Sequence, residues 1–473
     1  MTRTILATFA AATLLSGCSL VPDYLRPDSP VPESWPQGPA YKAEAPAEAG
    51  KPLGGEVAWK DFFTDANLRQ LIQQALDNNR DLRVAALNIA VAQGTYRVTE
   101  ANLLPTINAG ASETEQRTPK ALTLTSPQKA ATTRRYNANL GVTSFELDLF
   151  GRLRSLEEQA LEKYLATEEA RTSTQIALVA EVANTYLTLL GDRKLLILTE
   201  ETLQTRVKSL DLIQRSFERG IGSQLDVAQA RSSVETARAN RARYIRQVDL
   251  DKNALTLLVG APIDETKISV AGDLDAVRFV EDLPVGLPSG VLLRRPDIVS
   301  AEHQLKAANA NIGAARAAFF PVLSLTGSGG FSSLTLDTLF QASSGAWAFV
   351  PQITMPIFDA GRNFANLDSA KASRDIAVAQ YEKAIQSAFR EVADALAAKG
   401  TLSDQLAAQT ALVGATRDSY RLSQARYDRG IDSYLTVLDS QRSLYGAEQD
   451  QIAVQVARLS NLVNLYKVLG GGT

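Results

Sequence analysis

The sequence predicts an α+β membrane protein built by internal tandem duplication. Each half supplies two membrane strands and one long helical hairpin, and three chains close a twelve-stranded β-barrel. Three observations lead there. The phrase "RGIGSQLDVAQARSS" (Arg219 to Ser233) returns as "RGIDSYLTVLDSQRS" (Arg429 to Ser443), 210 positions later. Proline is absent from Gln128 to Ala261 and again after Pro356, so long helices are permitted there. Short segments between those stretches alternate apolar and polar residues, the pattern of a strand with one face in lipid.

The chain opens with "MTRTILATFAAATLLSGCSL", which has one positive charge at Arg3 and an apolar run from Ile5 to Leu15. That run is shorter than the ~20 residues a spanning helix needs, so residues 1–17 read as an export signal. Cys18 is the single cysteine, which excludes a disulfide within the chain. Leu15-Ser16-Gly17-Cys18 resembles the lipobox of bacterial lipoproteins, which implies a covalent lipid on Cys18, and Ser19 in place of Asp points to the outer membrane. The formal charge of −3 gives no basic footprint for nucleic acid. Residues 18–58 are crowded with Pro, Gly and Ala and read as a lipid-anchored tether.

The first structural repeat covers 59–260 and the second 291–473, with a linker over 261–290. After Trp59 two helices are expected, with Asp65 and Asn79 as caps. "RDLRVAALNIAVAQGTYRVTEANLLP" (from Arg80) matches "PDIVSAEHQLKAANANIGAARAAFFP" (from Pro296). Glu181-Val182-Ala183-Asn184 matches Glu391-Val392-Ala393-Asp394, and Gly260 matches Gly470, both in the register of the repeated phrase. A unit of this length is a duplicated domain half rather than a solenoid repeat.

From Gly151 to Arg219, and again from Gly361 to Arg429, an unbroken helix would reach about 100 Å. The repeated phrase then turns each helix back, at 219–223 and 429–433. Each turn offers a glycine for the left-handed cap and a serine to start the next helix. The returning helix carries Val227, Ala230, Val234, Ala237, Arg241, Tyr244, Val248, Asp251, Leu255 and Leu258 at alternating three and four spacing, a coiled-coil stripe.

Strands are expected near 106–116 and 136–147 in the first half, and near 322–331 and 346–357 in the second. "YNANLGVTSFEL" sets Tyr136, Ala138, Leu140 and Val142 against Asn137, Asn139, Gly141 and Thr143. "WAFVPQITMPIF" alternates in the same way and brings aromatic residues to a membrane interface. Four strands cannot close a barrel, and an open edge is excluded from lipid. A cyclic trimer closes it with twelve. Arg117 to Arg135 and Ser332 to Gly345 are the expected outer loops.

Together with the lipobox, "ELDLFGRLRS" (from Glu146), "RRPDI" (from Arg294), "AARAAFFP" (from Ala314) and "YDRGIDSYLTVLDSQRSLY" (from Tyr427) make nearly the whole chain resemble a TolC-family outer-membrane factor of the OprM-like efflux lipoprotein branch. The resemblance implies a trimeric barrel in the outer membrane continued by an α-helical coiled-coil tunnel through the periplasm. It implies an exit duct for a tripartite multidrug efflux pump, working with a periplasmic adaptor and an inner-membrane pump of the RND type. It implies no cofactor beyond the lipid on Cys18.

The resemblance also places a periplasmic gate at the hairpins. Leu435 and Asp439 match a ring of apolar and acidic side chains that narrows the bore. Tyr427 matches a tyrosine that ties neighbouring hairpins, with Asp226 as its acidic partner. Asp432 departs from the TolC pattern, where a basic residue supplies a latch cation. Gly220, Ile221, Gly222, Gly430, Ile431 and Asp432 occupy the tips and are the candidates that the resemblance implies for contact with the adaptor.

An enzyme is a poor fit. His303 is the single histidine and reads as a surface residue without a partner for a metal site or a triad. "GSGG" at Gly327 lacks the lysine of a phosphate loop and fits a strand interior better. Two alternatives to drug efflux remain: the exit duct of a type I protein secretion system, and a non-conducting coiled-coil spacer.

Overall fold

The computed structural model describes residues 19–41, 54–122, 130–264, 274–280, 283–286 and 288–472. The export segment 1–17 and Cys18 lie outside the described residues, as do parts of the tether and of the 261–290 linker. In chain order the main elements are α1 (Trp59–Phe62), α2 (Ala66–Asn78), α3 (Arg80–Ala101), β1 (Ile107–Thr118), β2 (Ala131–Leu147), α4 (Arg152–Glu218) and α5 (Gln224–Val259). The second half repeats the plan with α6 (Pro288–Leu292), α7 (Pro296–Ala317), β3 (Val322–Ser333), β4 (Gly345–Thr354), α8 (Arg362–Asp428) and α9 (Tyr434–Val468). The duplication is visible in the lengths: α4 and α8 are both 67 residues.

The described residues divide into two compact units, the first drawn from those up to Pro27, from Asn88–Thr167 and from Ala301–Tyr381. It holds all four strands, in one antiparallel sheet of order β1-β2-β3-β4. Ile107 lies opposite Val142, Leu140 opposite Gly329, and Gly329 opposite Trp347. Opposed residues share a face. One face therefore collects Ile107, Leu140, Val142, Leu325, Phe331, Trp347, Phe349 and Ile353, and the other collects Asn108, Ser112, Asn137, Asn139, Ser328 and Ser332. Among the described residues nothing covers the apolar face, with Leu140 61%, Ile353 71% and Trp347 82% exposed. A contiguous apolar surface of this kind needs lipid or protein against it.

Several strand limits differ from expectation. β1 runs on to Thr118 and β2 starts at Ala131, so part of the stretch expected as an outer loop is paired strand. β4 stops at Thr354 rather than running on to 357, and it accommodates Pro351 opposite Leu325, as an edge strand can. A bulge between Val142 and Phe145 puts Ser144 at φ 53°, where its amide donates to Thr326 Oγ1 at 3.1 Å.

The start of the tether is a strap rather than free chain. Arg316 Nη1 donates to the Leu20 carbonyl at 3.1 Å and Asn309 Nδ2 to the Pro22 carbonyl at 2.7 Å. Arg26 then bonds the buried Glu302 carboxylate through Nε and Nη2. Side chains of α7 thus satisfy a backbone that has no secondary structure of its own.

The second unit is drawn from the described residues of Asp28–Leu87, Glu168–Ser300 and Glu382–Thr473. Its short elements pack an aromatic core in which Phe62 stacks on Tyr466 at 4.1 Å and on Phe279 at 5.5 Å. The tether contributes Trp35, which stacks on Phe389 at 5.1 Å and donates Nε1 to the Gly286 carbonyl. Asp65 caps α2 by accepting from the Leu68 amide at 2.7 Å, and Asn79 caps α3 by accepting from Leu82 at 2.9 Å. Arg295 of the "RRPDI" motif is buried, bonding Asp297, Glu391 and the Val468 carbonyl. Of the predicted stripe on α5, Ala230, Val234, Ala237, Tyr244, Val248, Asp251 and Leu255 are buried.

Candidate functional site

The two hairpin turns have the same backbone. Gly220 and Gly430 adopt φ of +78° and +73°, left-handed values that a side chain would strain even though the space around them is open. Ile221 N donates to the Ser216 carbonyl and Ile431 N to the Arg426 carbonyl, both at 3.0 Å. Ile221 is 81% and Ile431 58% exposed, so each tip presents one apolar side chain to solvent.

The side chains close the two turns differently. In the first, Ser223 and Asp226 form a capping box: the Ser223 hydroxyl accepts from the Asp226 amide at 3.1 Å, and Asp226 accepts from the Ser223 amide at 3.2 Å. In the second, Ser433 makes no side-chain cap. Arg426 instead grips Asp432 through two bonds, Nε to Oδ2 at 2.6 Å and Nη2 to Oδ1 at 2.9 Å. That guanidinium holds the Asp432 carboxyl below the usual carboxylate range. The corresponding positions of the first turn are Ser216 and Gly222, so the ion pair belongs to the second hairpin alone. Sequence reasoning marked Asp432 as a departure and missed its cation, which lies six residues upstream across the turn.

Behind the tips the hairpins pack together. Ile213 of α4, Ala230 of α5 and Tyr434, Val437 and Leu438 of α9 form a buried cluster, with Leu210, Val227, Tyr420 and Tyr427 against it. Tyr427 meets the Tyr434 ring edge-on at 5.8 Å. Burial raises the Tyr427 hydroxyl pKa, and the Asp226 and Asp428 charges raise it further. The Tyr427–Asp226 latch implied by the resemblance is not a hydrogen bond within this chain. The Asp226 carboxylate is committed to Ser223, whose hydroxyl donates to it at 2.7 Å.

Leu435 and Asp439 lie one turn apart on α9 and point away from that cluster. Leu435 is 45% exposed. The Asp439 side chain is 63% exposed and its Oδ1 lies 3.6 Å from Arg442 Nη1. An exposed leucine and aspartate on one face can line an aperture only where other copies complete it.

Three polar features escaped the sequence reading. Arg206 is 4% exposed on α4. It donates Nη1 to the Ser233 carbonyl at 3.0 Å and stands over the Tyr445 ring at 5.2 Å, while its Nε has no partner. Burial lowers its pKa, and no carboxylate is among the charges acting on it. The available signal was a charge in step with Thr199, Leu210 and Ile213 along one helix face. Asp192 of α4 is pushed up to about 7 by burial and then by its hydrogen bond to Asp251 of α5. His303 is part-buried rather than a surface residue, with Nδ1 2.5 Å from Glu162 Oε2. Among the described residues no group of three or more His, Cys, Asp or Glu could hold a metal ion.

The chain matches the family model described as outer membrane efflux protein over residues 71–261 and 287–471. It is 52% identical over 472 residues to a toluene efflux pump outer membrane protein, TtgC, of Pseudomonas putida, covering 100% of this chain and 96% of that protein. An antibiotic efflux pump outer membrane protein, ArpC, of the same species matches to the same extent, 52% over 472 residues. In structure the chain is similar to the open state of the MtrE outer membrane channel of Neisseria gonorrhoeae, with a TM-score of 0.86, 39% identity, and coverage of 96% of this chain and 98% of that one.

Proposed function

The chain belongs to the outer membrane efflux protein family, and from that premise we propose how it serves as the outer-membrane exit duct of a tripartite efflux pump. Three copies edge to edge close twelve strands into a barrel, with the Trp347 face in lipid and the Asn137 face around the bore. The helical hairpins continue the duct on the periplasmic side. Their tips, with Gly220, Ile221, Gly222, Gly430, Ile431 and Asp432, meet a periplasmic adaptor that links the duct to an inner-membrane pump of the RND type. The pump supplies the energy and the duct conducts passively. A lipid on Cys18 anchors the N-terminus in the outer membrane.

The cargo is small toxic organic molecules. The named activities of the relatives, toluene and antibiotic efflux, favour this over protein secretion. Leu435 and Asp439 form the gate: three leucines and three carboxylates around the axis narrow the aperture and make it cation-sensitive. Tyr427 acts through packing against Tyr434, and its hydroxyl is available to a neighbouring chain.

The observation that carries the duct reading is the four-stranded sheet with one apolar face, one polar face and two edges left unpaired among the described residues. Planar-bilayer conductance of the wild type beside Leu435→Ala, Asp439→Ala tests it. We expect small wild-type currents and a severalfold increase in the double variant at equal trimer content. Equal currents would move the gate elsewhere. Silence from both folded trimers would sink the duct and leave the spacer.

A further inference from the structure

The polar face of the sheet is almost without charge. Registers across all three strand pairs place Asn108, Ser112, Thr114, Asn137, Asn139, Ser328 and Ser332 there, and hydrogen bonds join several of them: Ser332 Oγ donates to Asn137 Oδ1 at 2.9 Å. Two charged residues of the described strands share this face. Glu146, opposite Ser324, is neutralised by Arg152, which donates Nε to Oε1 at 2.8 Å and Nη2 to Oε2 at 2.5 Å. Arg135, opposite Thr114, is exposed and makes no ion pair among the described residues.

The nearby acids do not cancel Arg135, because they point the other way. Glu113 lies opposite Tyr136 and Glu115 opposite Arg134, on the lipid face, where Arg134 Nε is 3.3 Å from Glu115 Oε1. Arg135 sits one residue beyond Tyr136, at the β1–β2 end of the apolar band. The strand alternation therefore sends one guanidinium per chain into the bore and keeps the compensating carboxylates out of it.

We propose that Arg135 is a specificity-determining residue of the duct: copies from the three chains form a cationic ring in the barrel that favours anionic and neutral solutes over cations. This rests on the trimeric duct reading. A ring of like charges biases permeation through its field. The field reaches ~30 Å at 0.01 M salt and 3 Å at 1 M, so the bias fades as salt rises. At the barrel, acidic and uncharged organic molecules pass, while external cations meet a barrier there.

The test is the reversal potential across a planar bilayer under a tenfold KCl gradient in dilute salt. The Leu435→Ala, Asp439→Ala protein is the parent, so the acidic ring in series with Arg135 is absent. Adding Arg135→Gln should lower the chloride-to-potassium permeability ratio on the order of twofold or more. Arg135→Lys should retain it, and the difference should vanish near 1 M salt. An unchanged ratio in a conducting Arg135→Gln channel, or a fall that Lys does not restore, would overturn the proposal alone. A parent that carries no current as a folded trimer would overturn the duct reading and this proposal with it.

Discussion

Arg206 shows how much one side chain can cost. A guanidinium with a single backbone hydrogen bond, an aromatic face and no carboxylate keeps most of its desolvation penalty. The cation–π contact of a desolvated guanidinium returns about 2 kcal/mol of it. Arg206→Met keeps the length and removes the charge, and should stabilise the packing of α4 against α9 by ~1 kcal/mol or more, read as a higher Tm of the purified protein. A lower Tm would mean that the Tyr445 contact outweighs the buried charge. The Arg442–Asp439 contact, between two half-exposed side chains at 3.6 Å, is worth little by comparison.

At the scale of the element, the first hairpin carries its own pH dependence. Burial and the hydrogen bond to Asp251 hold Asp192 protonated up to about pH 7. Between the ordinary carboxylate range and about pH 7, the folded state keeps a proton that the unfolded chain has released. Folding then binds a proton, so stability falls as pH rises through that window and levels off above it. Asp251→Asn removes the neighbouring charge and offers an amide donor, so it should flatten the fall, measured as the Tm difference between pH 5 and pH 8. An unchanged slope would place the dependence elsewhere. The hairpins themselves were legible in the sequence, because a glycine cap, a serine and a proline-free heptad stripe are local signals. The carboxyl pair was not: Asp192 and Asp251 are 59 positions apart, and Asp251 sat unremarked inside the stripe.

For the whole molecule, assembly depends on the lipid face of the sheet remaining apolar. Leu140 is 61% exposed at the centre of that face. Leu140→Arg should cost about 2–4 kcal/mol in the membrane and shift the protein from folded trimer toward unassembled chain, read by heat-resistant migration of the extracted trimer. Asn139→Arg, one residue away on the polar face, should assemble normally. Equal assembly of the two variants would reverse or abolish the assignment of faces. The sequence by itself determined the duplication, the long helices, the turns and the two-residue alternation, since each rests on neighbours in the chain and on backbone periodicity. It also led to the family, through motifs spread over its length. Only the tertiary structure decided which charges find partners. Arg426 meets Asp432, Arg26 meets Glu302 and Arg152 meets Glu146, while among the described residues Arg206 is buried without a carboxylate and Arg135 makes no ion pair. Partnership depends on which elements pack and in what register, and a charge carries no sign of its partner until the chain has folded.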